Sequence, residues 1–80
     1  MTVGIAVKER ILQLCEERNL SINKLSTISG VTQSTVNNII SGRNNSATVS
    51  TVKKLCDGLG ITLGEFFSTP EFDGLEQEIV

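Results

Sequence analysis

Apolar residues recur along this chain at intervals of three and four, the period of helices buried on one face. Val7, Ile11, Leu14 and Cys15 trace such a face over residues 3–18, and Asn19 suits a left-handed stop after it. One arrangement then recurs four times. A hydroxyl residue that can cap a helix N-terminus follows one apolar residue and stands four positions before a second. The sets are Leu20-Ser21 with Leu25, Val31-Thr32 with Val36, Ala47-Thr48 with Val52, and Ile61-Thr62 with Phe66. Glu65, three residues after Thr62, can complete a capping box. The spacing predicts further helices near 22–29, 33–41, 49–58 and 63–68, with Gly60 and Pro70 marking the ends of the last two. The expectation is an all-α fold of five helices.

The third helix carries an unusual outer face. Thr32 can cap its start, and Gly42 can take the left-handed conformation that ends it. Val36, Ile39 and Ile40 form an apolar seam, and opposite them lie Gln33, Ser34, Asn37, Asn38 and Ser41, with Thr35 at the edge. Amides pair bidentately with adenine in a DNA major groove, and a helix has the right width to enter that groove. A soluble helix that happens to be amide-rich is the alternative, but a merely solvated face more often carries Lys and Glu. The short helix at 22–29 joins this one through Ser29-Gly30-Val31, and two helices linked by a Gly-containing turn make a helix-turn-helix unit.

Five pieces occur in one order over most of the chain: Leu-Ser-x-x-x-Leu-Ser, Gly-Val-Thr-Gln-Ser-Thr-Val, Ile-Ile-Ser-Gly-Arg, Thr-Val-x-x-Leu-Cys-Asp-Gly-Leu-Gly-Ile and Leu-Gly-Glu-Phe-Phe. Through them residues 11–67 resemble the helix-turn-helix domain of phage repressors of the Cro/cI type, an XRE-like, lambda-repressor-like fold. The resemblance implies a five-helix DNA-binding domain whose third helix reads bases, acting as a homodimer on two half-sites about one turn apart. It also implies that the loop after that helix lies along the phosphate backbone, where Arg43, Asn44 and Asn45 would serve. Phosphate contacts of this kind fix register without reading sequence.

Two departures qualify the resemblance. Family members commonly place Gln at the first position of the second helix, against a phosphate; this chain has Ile22. Ser21 and the backbone amides beside it could still hold a phosphate. The family also often pairs an Arg in the first helix with a Glu near the end of the third, where this chain has Cys15 and Ile40. Stranding one buried charge costs about 3–5 kcal/mol, whereas replacing both with apolar groups can be neutral or stabilising. An intact apolar seam is expected there, with Cys15 an inert buried thiol.

Composition narrows the function classes. The net charge of −2 is unevenly spread. Residues 1–70 hold seven basic and five acidic side chains, a net +2, while residues 71–80 carry Glu71, Asp73, Glu76 and Glu78 with no base. The expected organisation is therefore a helix-turn-helix domain over 1–70 and an acidic tail over 71–80. In the tail, Phe72, Leu75 and Ile79 fall at helical spacing. They are expected either to pack across a partner subunit near Phe66 and Phe67 or to fray. There is no His, and Cys15 and Cys56 lack CxxC spacing, so no disulfide framework, metal site, cofactor or catalytic constellation is expected. No apolar run approaches a membrane span and no leader pattern opens the chain, so a cytoplasmic protein is expected.

Together these readings give a sequence-specific regulator of transcription, not an enzyme, that binds double-stranded DNA and represses by occupying an operator. Its expected DNA-contacting residues are Ser21, Thr32, Gln33, Ser34, Thr35, Asn37, Asn38, Ser41, Arg43, Asn44 and Asn45. The alternative is a protein-interaction module on the same fold, antitoxin-like or an adaptor, with a protein partner and weak or no DNA binding. The small positive charge, Ile22, Ile28 and the acidic tail favour that alternative.

Overall fold

The first turn of a helix leaves backbone N–H groups without partners, and in this chain a hydroxyl supplies one at nearly every start. A computed structural model describes residues 1–41 and 47–79, and among these the chain forms six helices. They are α1 (Val3–Glu17), α2 (Ile22–Ser29), α3 (Gln33–Ile40), α4 (Val49–Leu59), α5 (Leu63–Phe67) and α6 (Pro70–Asp73). Ser21, Thr32, Thr48 and Thr62 cap α2 to α5 as the spacing predicts, and Thr2, which the spacing did not single out, caps α1. Each hydroxyl accepts from the amide three residues on, at 3.0–3.3 Å. One such cap stabilises a helix by about 1 kcal/mol. The Thr62–Glu65 capping box is complete.

The four apolar residues expected to lie inside, Leu25, Val36, Val52 and Phe66, are all buried. With Val7, Ile11, Leu14 and Cys15 of α1 and Leu55, Cys56 and Leu59 of α4 they form one core. Two expected helix stops match, Asn19 with a left-handed φ of 53° and Gly60 ending α4 in the same region, and Gly30 of the connecting turn ends α2 there too. Gly42, expected to end α3, lies outside the described residues. Helix α1 packs on α3, and α2 packs on α4. Cys15 is buried, Ile40 is half-buried against the core, and no polar or charged side chain is buried among the described residues. Cys15 and Ile40 thus belong to or border the apolar core that α1 and α3 share, in line with the expected seam.

The end of the chain departs from expectation. Pro70 opens a sixth, four-residue helix instead of closing the fifth, because a proline at the first helical position lacks only an N–H that would be unpaired anyway. Its Phe72 turns onto its own chain. The Phe66 and Phe67 rings meet edge-to-face with centroids 4.9 Å apart, and Phe67 meets Phe72 at the same distance. The best anchor of the tail is thus already occupied within the chain. Helix α6 packs on α1, and Glu76 comes within 3.9 Å of the Met1 amino group.

The α2–α4 contact depends on a missing side chain. A Cβ on Gly58, inside α4, would stand 2.9 Å from Ser29 Cα and 3.0 Å from the Ile28 carbonyl oxygen, closer than real Cβ atoms pack. Gly64 of α5 differs, since a Cβ there meets only Thr62 Oγ1, at 3.7 Å. The expected outcomes of Gly→Ala substitution therefore have opposite signs. Gly58→Ala forces α2 and α4 apart and lowers stability by about 1–2 kcal/mol, overpacking outweighing the gain in helix propensity. Gly64→Ala raises stability by roughly 0.5 kcal/mol. Denaturant melts of both variants check this, and equal signs would refute the close approach.

Both thiols are expected to be inert. Burial raises the Cys15 pKa above the ordinary 9.0. Burial also raises that of Cys56, with help from Asp57 and partial opposition from Lys53 and Arg10. A disulfide reagent at pH 8 should modify the unfolded chain far faster than the folded one. Because the unfolded thiols ionise first, their contribution to stability is full below about pH 9 and is lost as pH rises further. Rapid labelling of the native protein would refute the placement of both residues.

Candidate nucleic-acid interface

The connection between α2 and α3 is held by hydroxyl groups. Gly30 takes φ 70°, and its N–H donates to the Ser26 carbonyl at 3.1 Å, closing α2. The Ser26 hydroxyl donates in turn to the Val31 carbonyl, across the turn. Ser29 Oγ donates back to the Leu25 carbonyl at 2.6 Å. Val31 is buried, so the residue preceding the α3 cap is pinned in the core while α3 leaves at a fixed angle. The direction in which α3 presents its outer face is therefore set by side chains of α2.

On that face the structure divides the expected contact residues into two groups. Gln33, Ser34, Asn37 and Asn38 are exposed, and their side chains make no hydrogen bond to any described residue. Thr32, Thr35 and Ser41 are committed to the helix itself. Thr32 Oγ1 accepts from the Thr35 amide at 3.2 Å and lies 2.8 Å from Thr35 Oγ1. Ser41 Oγ donates to the Asn38 carbonyl at 2.7 Å. At the start of α2, Ser21 Oγ is similarly engaged, accepting from the Lys24 amide at 3.0 Å. Arg43, Asn44 and Asn45 lie outside the described residues.

The cations are distributed in a way that sequence reasoning missed. Arg10 Nε donates to the Phe66 carbonyl at 2.7 Å, and its Nη2 donates to the Glu65 carbonyl at 2.8 Å. Arg18 donates to the Leu59 carbonyl. Arg10 of α1 and Arg18, the residue that follows α1, thus cap the C-terminal ends of other helices. The signal was present, though only as an absence: among the described residues no helix has a basic residue in its own last turn. Helix carbonyl ends favour nearby positive charge, so the ends of α4 and α5 take it from α1. Lys53 pairs with Asp57 on α4. Lys24 is exposed in the first turn of α2, beside Ser21, and was not among the expected contact residues.

Other chemistry finds little support. Among the described residues no group of three or more His, Cys, Asp or Glu could hold a metal ion. A shallow cleft lined by Ala6, Glu9, Gln13, Thr69 and Glu71 has Arg10 at its side, already bonded to two carbonyls and to Gln13. No helix among these residues is long and apolar enough to cross a membrane.

Comparison with known proteins agrees with this geometry. The profile of the family described as helix-turn-helix, HTH_3, matches residues 11–66. The HTH-type transcriptional regulator PuuR of Escherichia coli strain K12 is 34% identical over 68 residues. That match takes in 85% of this chain and 36% of PuuR, so the chain spans about a third of that relative's length. PuuR of Shigella flexneri gives the same figures. Among solved structures, the crystal structure of the prophage Lp1 protein 11 superposes with a TM-score of 0.83 at 37% identity, covering 94% of this chain and 99% of that one. The family is one of transcription regulators rather than enzymes. With the fold, the pinned turn and the profile match in agreement, the chain belongs to the XRE-type helix-turn-helix family.

Proposed function

We propose that this chain binds double-stranded DNA sequence-specifically and regulates transcription, as a repressor that occupies an operator as a homodimer with α3 in the major groove. The observation that carries this reading is the division of the α3 surface. Four outward side chains, Gln33, Ser34, Asn37 and Asn38, keep their hydrogen-bonding groups unused, while neighbouring hydroxyls are consumed in shaping the helix. Unused polar groups on a charge-free helix suit base edges, which offer matched donors and acceptors. PuuR, similar over most of the chain, is named a transcriptional regulator. Lys24 with Ser21 at the start of α2, and Arg43 with Asn44 and Asn45 after α3, would hold the phosphates on either side of the reading helix.

A second reading, a protein-interaction module on the same fold, draws support from the internal use of Arg10 and Arg18. With those charges turned to carbonyl groups, the positive footprint available to DNA is small. Selection from a random duplex library at low salt separates the two. An enriched palindrome with half-sites about one helical turn apart is expected; no enrichment at all would transfer the argument to the protein partner.

The phosphate contacts have their own signature. Lys24→Ala and Arg43→Ala should each weaken binding to selected and random duplexes alike, and each should lower the slope of log affinity against log salt by about one unit. Titration at several salt concentrations measures it. An unchanged slope would remove that residue from the interface.

A further inference from the structure

Each base offers a different partner pattern in the major groove. Guanine presents two acceptors, which a guanidinium or ammonium group matches; cytosine presents a donor, which a carboxylate matches; adenine presents the N7 acceptor beside the N6 donor. Only a side chain that both donates and accepts can satisfy adenine bidentately, and an amide does so. From Gln33 to Ser41 this chain has no Arg, Lys, Asp or Glu. Its exposed, unengaged groups there are three amides, Gln33, Asn37 and Asn38, and the Ser34 hydroxyl. Gln33 and Asn37 are one turn apart on the same side of α3, about 6 Å along its axis. Stacked base pairs rise about 3.4 Å each, so this spacing spans roughly two steps of a duplex. Asn38 falls on the adjacent row, directly after Ser34.

Resting on the DNA-binding reading above, we propose that α3 reads adenine through its N6 and N7 edge, with Gln33 and the Asn37–Asn38 pair as specificity-determining residues, and that adenine N6-methylation in the half-site blocks binding. The second part follows from valence. One N6 hydrogen of adenine pairs with thymine and the other faces the major groove. A methyl group on N6 in a paired duplex takes the groove-facing position, so the donor is lost and bulk is added where the amide oxygen would sit. Removing N7 instead deletes the acceptor while leaving base pairing untouched.

The test uses the full chain and the duplex enriched by selection, with each half-site adenine replaced in turn by 7-deazaadenine and by N6-methyladenine. The expected result is an adenine-containing core in which either replacement weakens binding roughly 5- to 150-fold at two or more positions. With Gln33→Ala, an exposed change that leaves the fold alone, one of those adenines becomes indifferent to both replacements. A core of G·C pairs would overturn the inference and leave DNA binding intact. So would an adenine core whose affinity survives both replacements, because the sequence would then be read through duplex shape. Enrichment of nothing would overturn the DNA-binding reading itself, and this inference with it.

Discussion

The helix-turn-helix unit depends on how near α4 can come to the end of α2. Gly58 offers Ser29 and Ile28 only backbone, and a Cβ there would stand 2.9–3.0 Å from their atoms, so there is no room for one. That contact fixes the last turn of α2, where Ser26 and Ser29 make their hydrogen bonds and Gly30 reverses the chain. The turn in turn places Val31 in the core and Thr32 at the head of α3. A single missing methyl group on one helix therefore helps aim the side chains of a helix it does not itself carry. Packing of this kind transmits position because interiors are dense and yield little.

Charge is used differently from what a count of basic residues suggests. Arg10 of α1 and Arg18 just after it complete the ends of α5 and α4, an arrangement that ties three helices together without any buried ion pair among the described residues. Hydrogen bonds to a charged donor are stronger than neutral ones. The outer face of α3, by contrast, is free of charge altogether. The exposed polar face of α3 and the hydrogen bonds that tie helix ends together thus draw on separate sets of residues: amides for one, guanidinium groups for the other.

Much of the fold was legible because the chain repeats one local rule. Four hydroxyl caps, each with an apolar residue on either side at fixed spacing, located α2 to α5 to within a residue at nearly every end. The exposed amide face of α3 was equally legible, since helical period alone separates Gln33 and Asn37 from Val36 and Ile39. Less visible was anything that depends on distant partners. Nothing local in Arg10 or Arg18 points to the carbonyls they meet, and nothing local in Gly58 distinguishes it from Gly64. Pro70 was read as a stop because proline ends helices more conspicuously than it starts them, yet here it starts one. Phe72 was read with Leu75 and Ile79 as an apolar stripe that packs on a partner near Phe66 and Phe67 or frays, and within this chain its ring meets Phe66 and Phe67 themselves.

The arginine caps also bear on the order in which the molecule can assemble. Contacts between helices adjacent in sequence, α2 with α3 and α4 with α5, can form as soon as those helices exist. The bonds from Arg18 to Leu59 and from Arg10 to Phe66 span 41 and 56 residues. Closing loops of that length costs entropy before any contact repays it, so such bonds form late. In N-to-C synthesis α1 precedes the helices whose carbonyl ends Arg10 and Arg18 bind. Until α4 and α5 appear, the Arg10 and Arg18 guanidinium groups lack the carbonyls they bind in the finished fold, and only α3 is there to cover the apolar face of α1.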